Sequence, residues 1–578
     1  MTAFSVWAPR AGEVAVEVGG AHHPMGPDGD RGWYGAEVPG AGPGDEYRFV
    51  IDGDALPDPR SPWQPAGVGG PSRLVDHGAF AWGDQGWAGF DLAGAVLYEL
   101  HVGTFSPEGT FEGVARRLDH LVDLGVDAVE LLPVNQFPGR WGWGYDGVGL
   151  FAPHQPYGGP DGLKALVDAC HRRGLGVVLD VVYNHLGPAG NHLARFGPYF
   201  TARYHTPWGD AVNLDGPGSD EVRSFFCDNA LMWLRDYHVD ALRLDAVHGF
   251  VDTSATHLLE QLAQAVDSLA AHLGRPLHLI AESDLNDPRV VRTRAAGGLG
   301  MRAQWSDDFH HALHAVLTGE RSGYYGDFGS VADVATALRQ GFVYAGRYSA
   351  YRGRTHGRAD PSLRGDQLLG YLQDHDQVGN RARGERISAL ASLDRVKVGA
   401  ALVLTSPFVP MLFAGEEWAA STPFPYFCDH DDPGLAEAVR AGRRAEFAGF
   451  GWDPEAIPDP QAPATFESAR LDWDEPARPP HADVLAWYRR LLALRRQQPG
   501  LRAGPLGEVA TRHDDQARWL VVERGPVAVA ANLGWAPARL DVRGRLLAAS
   551  QAGVAAEPGG PLTLPPDSVA VVDRTGAG

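Results

Sequence analysis

Ala241-Leu-Arg-Leu-Asp-Ala-Val-His248 is a short apolar run broken by one arginine and closed by a carboxylate, Asp245. Side chains of a strand alternate between its two faces. Arg243 and Asp245 therefore point one way, and Leu242 and Leu244 the other. A guanidinium beside Asp245 favours the ionised carboxylate. The same punctuation recurs in Gly176-Val-Val-Leu-Asp180, in Leu277-His-Leu-Ile-Ala-Glu282 and in Leu372-Gln-Asp-His-Asp376. Buried strands that each end in a carboxylate describe a barrel whose reactive groups converge at one rim. Two carboxyl groups facing each other across a sugar ring can cut a glycosidic bond when one is ionised and the other protonated.

Working outward, strand candidates begin at Ala95, Val126, Gly176, Asp240, Leu277, Met301, Gln367 and Phe408, with helical stretches between them. Eight such units predict an α/β fold, a (β/α)8 TIM barrel, over residues 91–498. The helix from Ser219 is the clearest. Asp220 and Glu221 suit its first turn, and Val222, Phe225, Phe226, Trp233, Leu234 and Tyr237 form one apolar stripe. The Gly-, Pro- and aromatic-rich segment at about 185–218 predicts an excursion that walls one side of the barrel mouth. Residues 1–90 and 499–578 carry short alternating strands between turn residues and predict an N-terminal and a C-terminal β-sandwich.

The chain has 578 residues, more than one core can serve. Its net charge of −22 argues against nucleic acid or an anionic membrane as partner. No apolar run is long enough to span a bilayer, and the first residues lack the basic-then-apolar pattern of a signal peptide. Cys170, Cys227 and Cys428 are odd in number, far apart and without metal-ligand spacing, which predicts a cytoplasmic protein without disulfides. Sixteen Trp and seventeen Tyr provide flat faces suited to sugar rings.

Within this frame Glu282 has to hold a proton near neutral pH. The apolar approach Leu279-Ile-Ala281 and a negative neighbour, for which Asp376 is the candidate, would raise its pKa. Asp376 can hydrogen-bond sugar hydroxyls and help distort the ring. His185 and His375, each at the end of a strand, can donate to hydroxyls at the same subsite.

The stretches Asp180-Val-Val-Tyr-Asn-His185, Leu242-Arg-Leu-Asp-Ala-Val-His248, Ile280-Ala-Glu282 and Gln373-Asp-His-Asp376 resemble, in order and spacing, the four signature regions of the α-amylase clan, glycoside hydrolase family thirteen. The resemblance implies a retaining two-step mechanism with Asp245 as nucleophile, Glu282 as acid/base and Asp376 as transition-state stabiliser. Asp180, His185, Arg243, His248 and His375 become substrate-binding residues. Tyr145, in Trp143-Gly-Tyr-Asp146, becomes the ring that stacks on the sugar being cleaved. One departure stands out, because Asp374 occupies a place where many relatives carry Asn.

A narrower resemblance rests on Trp305-Ser-Asp-Asp-Phe-His-His311, on the stretch from Gln373 to Arg386 and on the stretch from Phe413 to Phe427 with Asp429-His-Asp431. These are similar to the members of the clan that release trehalose from malto-oligosyltrehalose. It implies malto-oligosyltrehalose and malto-oligosaccharides as ligands. It also implies a short acceptor pocket, for which Trp305, Asp307, Asp308, Phe309, Glu417, Trp418, Phe424 and Tyr426 are candidates. A glycogen branching enzyme or another α-glucan transglycosylase would share the barrel and the carboxylates, and the residues alone do not separate it. No cofactor and no metal are expected. Asn184, a calcium ligand in some amylases, is expected to hydrogen-bond His185 or Asp180, because the loop after it carries few carboxylates for an oxygen cage.

Overall fold

The computed structural model describes residues 2–448, 457–556 and 560–575. At its centre eight parallel strands close into a barrel in chain order: Leu97–Leu100, Ala128–Leu131, Gly176–Val181, Ala241–Leu244, His278–Ala281, Ala303–Trp305, Leu368–Tyr371 and Val409–Phe413. The last strand pairs back onto the first, Met411 opposite Leu97.

The two-residue alternation of these strands sorts their side chains. Leu97, Ala128, Val178, Ala241, Ile280, Ala303, Leu369 and Met411 pack together in an apolar barrel floor. Two residues further along the same strands stand Glu99, Glu130, Asp180, Arg243, Glu282, Trp305, Tyr371 and Phe413. A polar layer therefore lies directly above a dry one, at the end of the barrel where active sites of this architecture sit. The odd face of each strand, such as Leu242 and Leu244, joins the large core shared with the helices.

Three insertions shape the rim. Between the second and third strands, Asn135–Gln136 pairs with Gly149–Pro153, and the intervening loop carries Trp141, Trp143, Tyr145 and Asp146 across the mouth. After the third strand the excursion forms a two-stranded ribbon, Phe200–Thr206 with Gly209–Val212. A second ribbon, Arg347–Ser349 with Arg354–His356, comes after the sixth strand.

Thr2–Trp7, Gly26–Pro27 and Trp33–Val38 form one N-terminal sheet, and strands between Val14 and Arg73 form another. This unit is clamped to the helix Ser219–Asp236 by Trp33 Nε1 donating to Glu221 at 2.9 Å and by Arg60 donating to Asp228 at 2.7 Å. At the other end a five-stranded and a three-stranded sheet span Val509–Asp573. No helix among the described residues is long and apolar enough to cross a membrane.

Candidate active site

The barrel mouth opens into a cavity of about 550 Å³ lined by Asp245, Glu282 and Asp376, by Tyr145, His185, His248 and His375, and by an aromatic wall of Trp141, Trp143, Trp208 and Tyr426. The three signature carboxyl groups thus meet around one space. Asp180 and Arg243 are buried just beneath it.

Arg243 organises the floor. Its Nη1 donates to Asp245 Oδ1 at 2.8 Å and to Asp180 Oδ1 and Oδ2 at 2.9 and 2.8 Å. Its Nη2 lies 3.0 Å from Glu282 Oε2, an ionic contact whose angle falls short of a hydrogen bond. The guanidinium is fully buried and rests on the Trp305 ring, 4.4 Å from its centroid. A buried cation is costly unless acidic side chains surround it; here Asp180, Asp245 and Glu282 do.

Glu282 is raised above the ordinary carboxyl range by burial first and by Asp245. Arg243 and the Ala246 N–H, which donates to Glu282 Oε2 at 2.6 Å, pull in the opposite direction. The negative neighbour is therefore Asp245, where the sequence pointed to Asp376. Ala246, next to the nucleophile candidate, adopts a left-handed conformation at φ 39°, unusual for a residue with a Cβ. That turn is the local geometry that aims its amide at Glu282.

Tyr145 donates from its hydroxyl to Asp180 at 2.6 Å and contacts His375 Nε2 at 2.8 Å. Burial pushes Asp180 up to about 7, against the pull of Arg243 and of the Tyr145 hydrogen bond. His185 stacks on Trp208, with rings 5.1 Å apart and 2° from parallel, and its Nε2 meets the Tyr145 carbonyl at 3.1 Å. Asp376 has a 40% exposed side chain and lies 3.5 Å from His375 Nε2.

Most of the acceptor-pocket candidates lie behind the cavity wall. Trp305 is the platform under Arg243 and is 2% exposed. The helix Asp307–Thr318 starts two residues after its strand ends and turns Asp308 and Phe309 back into the protein. Asp308 accepts from the Val343 and Tyr344 amides at 2.7 Å and from Asn286 at 2.9 Å, and Phe309 packs on Phe408. Asp307 accepts from the Tyr371 hydroxyl and is pushed up to about 7 by burial. Glu417 and Trp418 come after the sharp turn at Gly415 (φ 86°) and point away from the cavity. There Glu417 is held by Tyr98 at 3.0 Å and by His120 at 2.8 Å, and Trp418 reaches Glu475 at 3.3 Å. Phe424 stacks behind Trp143, and Tyr426 alone of this set lines the cavity. Residues missed from sequence are Trp141, Asp146, Trp208, Asn380, His430 and Arg443, all on the cavity wall.

Asn184 makes no hydrogen bond to His185 or Asp180; both of its buried amide atoms lack a partner. The residues after it do not fit a calcium cage, since Asp215 accepts from Tyr204 and Thr253 and Asp220 faces Arg31. Among the described residues no group of three or more His, Cys, Asp and Glu is placed to hold a metal.

The family model for the α-amylase catalytic domain matches residues 76–196, and that for a domain of unknown function (DUF3459) matches residues 505–571. The malto-oligosyltrehalose trehalohydrolase of Arthrobacter ramosus is 54% identical over 94% of this chain and 95% of its own. That of Rhizobium sp. (strain M-11) is 48% identical over 98% and 97%. A solved Salmonella typhimurium structure assigned to the alpha amylases superposes with a TM-score of 0.91 at 39% identity, over 99% of this chain and 97% of that one. With such identity spread over nearly the whole length of both partners, the chain belongs to the malto-oligosyltrehalose trehalohydrolases of the α-amylase family.

Proposed function

We propose that this protein is a retaining glycosidase that cuts the α-1,4-glucosidic bond next to the terminal trehalose of malto-oligosyltrehalose, freeing trehalose and a malto-oligosaccharide. One observation carries the chemistry: a single guanidinium, Arg243, touches both Asp245 and Glu282 at the base of a cavity that also takes in Asp376.

In this reading the glucan enters with its scissile sugar over Tyr145, and trehalose occupies the side of His248 and Trp208, which packs beside Gly249. Asp245 attacks the anomeric carbon while Glu282 passes its proton to the glycosidic oxygen, so trehalose leaves as the neutral sugar. A covalent glycosyl–Asp245 ester remains. Glu282, now ionised, takes a proton from water, which attacks the same carbon and restores both carboxyl groups. Asp376 binds ring hydroxyls more tightly as the ring flattens, which is where binding accelerates the step. The raised pKa of Glu282 supports its role as the proton donor. The free, buried Cys170, Cys227 and Cys428 suit a reducing cytoplasm.

The deciding assay compares malto-oligosyltrehalose with maltopentaose and quantifies trehalose among the products. Trehalose from the first substrate, with slower cleavage of the second, is the expected result. New α-1,6 branch points on incubation with amylose, without trehalose release, would replace this reading with that of a branching enzyme. The Asp245→Asn protein should retain binding and lose turnover.

A further inference from the structure

Glu99 is not among the signature residues, yet it stands in the polar layer of the first strand and is 1% exposed. Its Oε1 lies 2.6 Å from His375 Nδ1, and its Oε2 accepts from the His375 backbone N–H at 3.0 Å. On the other side of the ring, Nε2 lies 2.8 Å from the Tyr145 oxygen, and the Tyr145 hydroxyl lies 2.6 Å from Asp180 Oδ2. Both Asp180 oxygens also accept from Arg243, which in turn donates to Asp245. An unbroken line of contacts therefore runs from the first strand to the nucleophile candidate.

Counting protons along this line decides the state of the ring. Tyr145 has one hydroxyl proton, and two neighbours within hydrogen-bond distance. Asp180, whose two oxygens both accept from Arg243, takes it in its ionised form. His375 Nε2 must then donate to the Tyr145 oxygen, while Nδ1 must donate to Glu99. We propose that Glu99 is a positioning residue: its carboxylate fixes His375 as a ring with two N–H donors, which locks the Tyr145 hydroxyl onto Asp180 beneath the scissile sugar.

The surroundings fit. Burial alone would strip the proton from His375, but Glu99 first, then Asp376 and Asp374, outweigh it and hold the group up at about 10. Other titratable or charged groups that face the ring are Tyr145 on the hairpin, with Arg243 behind it, His101 beyond the first strand, and Glu130 and Asp180 on the next strands. Of these acids only Glu99 hydrogen-bonds the ring, and Asp376 comes no nearer than 3.5 Å to Nε2. In a Glu99→Gln variant the amide oxygen can accept from one of the two His375 N–H groups, and its NH₂ confronts the other.

The inference rests on the proposed trehalose-releasing reaction for its kinetic arm but not for its spectroscopic one. In ¹⁵N-histidine spectra, with the His375→Asn protein used to assign the ring signals, wild-type His375 should stay doubly protonated from about pH 5 to about pH 8. In Glu99→Gln it should lose a ring proton as pH rises through that window. Trehalose release (kcat/KM) by Glu99→Gln should be about 10²-fold below wild type at the alkaline end and only about 10-fold below at the acid end, with most of the loss in kcat. Glu99→Asp, which keeps the charge, should keep the wild-type ring spectrum. A singly protonated His375 in wild type near pH 7 overturns the proposal, whether or not any variant folds. So does a pH-independent activity ratio with unchanged ring signals. If wild type frees no trehalose, the functional reading fails, and the ring spectra still judge Glu99.

Discussion

Asp374 is fully buried and caps the short helix His375–Gly379 through Oδ1, which accepts from the Asp376 and Gln377 amides at 2.9 and 3.2 Å. Its Oδ2 meets no partner, and burial first, then the Glu99 charge, raises its pKa well above the ordinary range. Burial disfavours the charged form, and an asparagine has the same shape and the same capping acceptor. Asp374→Asn should therefore keep kcat/KM within about threefold of wild type, since the cap that places His375 and Asp376 survives; a loss of tenfold or more would show that the carboxyl group itself is used. Glu282 is the opposite case, a raised carboxyl whose proton must move. Its protonated form is present below its elevated pKa and lost above it, so wild-type kcat/KM should decline on the alkaline side as Glu282 ionises. Glu282→Gln should lower kcat/KM by about 10³-fold and abolish that decline, because no titrating donor remains. A persisting alkaline limb in the variant would assign the donor elsewhere.

At the scale of elements, the loop Trp141–Asp146 is what brings Tyr145 over the strand ends. It can do so because Gly144 sits at φ 100°, where a Cβ would run into the Pro133 carbonyl oxygen. Gly144→Ala should thus displace Tyr145 and cost about 10²-fold in kcat/KM with little change in far-UV circular dichroism. Gly142→Ala, whose Cβ would meet only Phe137 at 3.3 Å, is the milder control. Equal losses from the two would refute a special role for the Gly144 turn. The eight strands were legible in the sequence to within two residues of where they begin, because a buried parallel strand is a short apolar run whatever surrounds it. Asp180, Arg243, Asp245 and Glu282 were legible for the same reason, since strand alternation sets where they point. The segments just beyond the strand ends were not. Asp308 and Phe309 belong to a helix that starts at once, and Glu417 and Trp418 to a tight turn, and both structures turn the side chains inward by tertiary packing that the local pattern does not record. Trp208 reaches the cavity through a ribbon whose register shifts between Thr201 and His205, a feature with no local signature.

Across the whole molecule, two sets of buried groups set opposing dependences on pH. Burial lowers His101 to about 4 and His154 and His311 to about 3, and takes His310 and His314 down as well. These rings bind fewer protons folded than unfolded, so the stability they contribute is complete above about pH 6.5 and is lost as pH falls toward the depressed values. Burial raises Asp308 to about 6, Asp180 and Asp307 to about 7 and Glu416 to about 8. Their contribution is complete below about pH 4, the unfolded carboxyl range, and is lost as pH rises through the folded values. Between about pH 4 and about pH 6.5 the two trends offset each other. Below that window the carboxyl gain is exhausted while the rings keep protonating, and Glu320 and Asp360, held near about 2, begin to lose their ion pairs. Scanning calorimetry should accordingly show a broad maximum in Tm at mildly acidic pH, a shallow decline toward about pH 8 and a steep fall below about pH 4. Glu416 isolates the alkaline branch. It is 1% exposed, and its Oε1 accepts from Tyr488 at 3.0 Å. Glu416→Gln keeps the acceptor and removes the charge that must form inside the protein above about pH 8. The variant should match wild type near the maximum and melt higher than wild type at the alkaline end, since only there does the native side chain carry an unfavourable buried charge. A variant that gains equally at both ends would show packing rather than ionisation at work, and one that loses at the alkaline end would reverse the sign of the linkage.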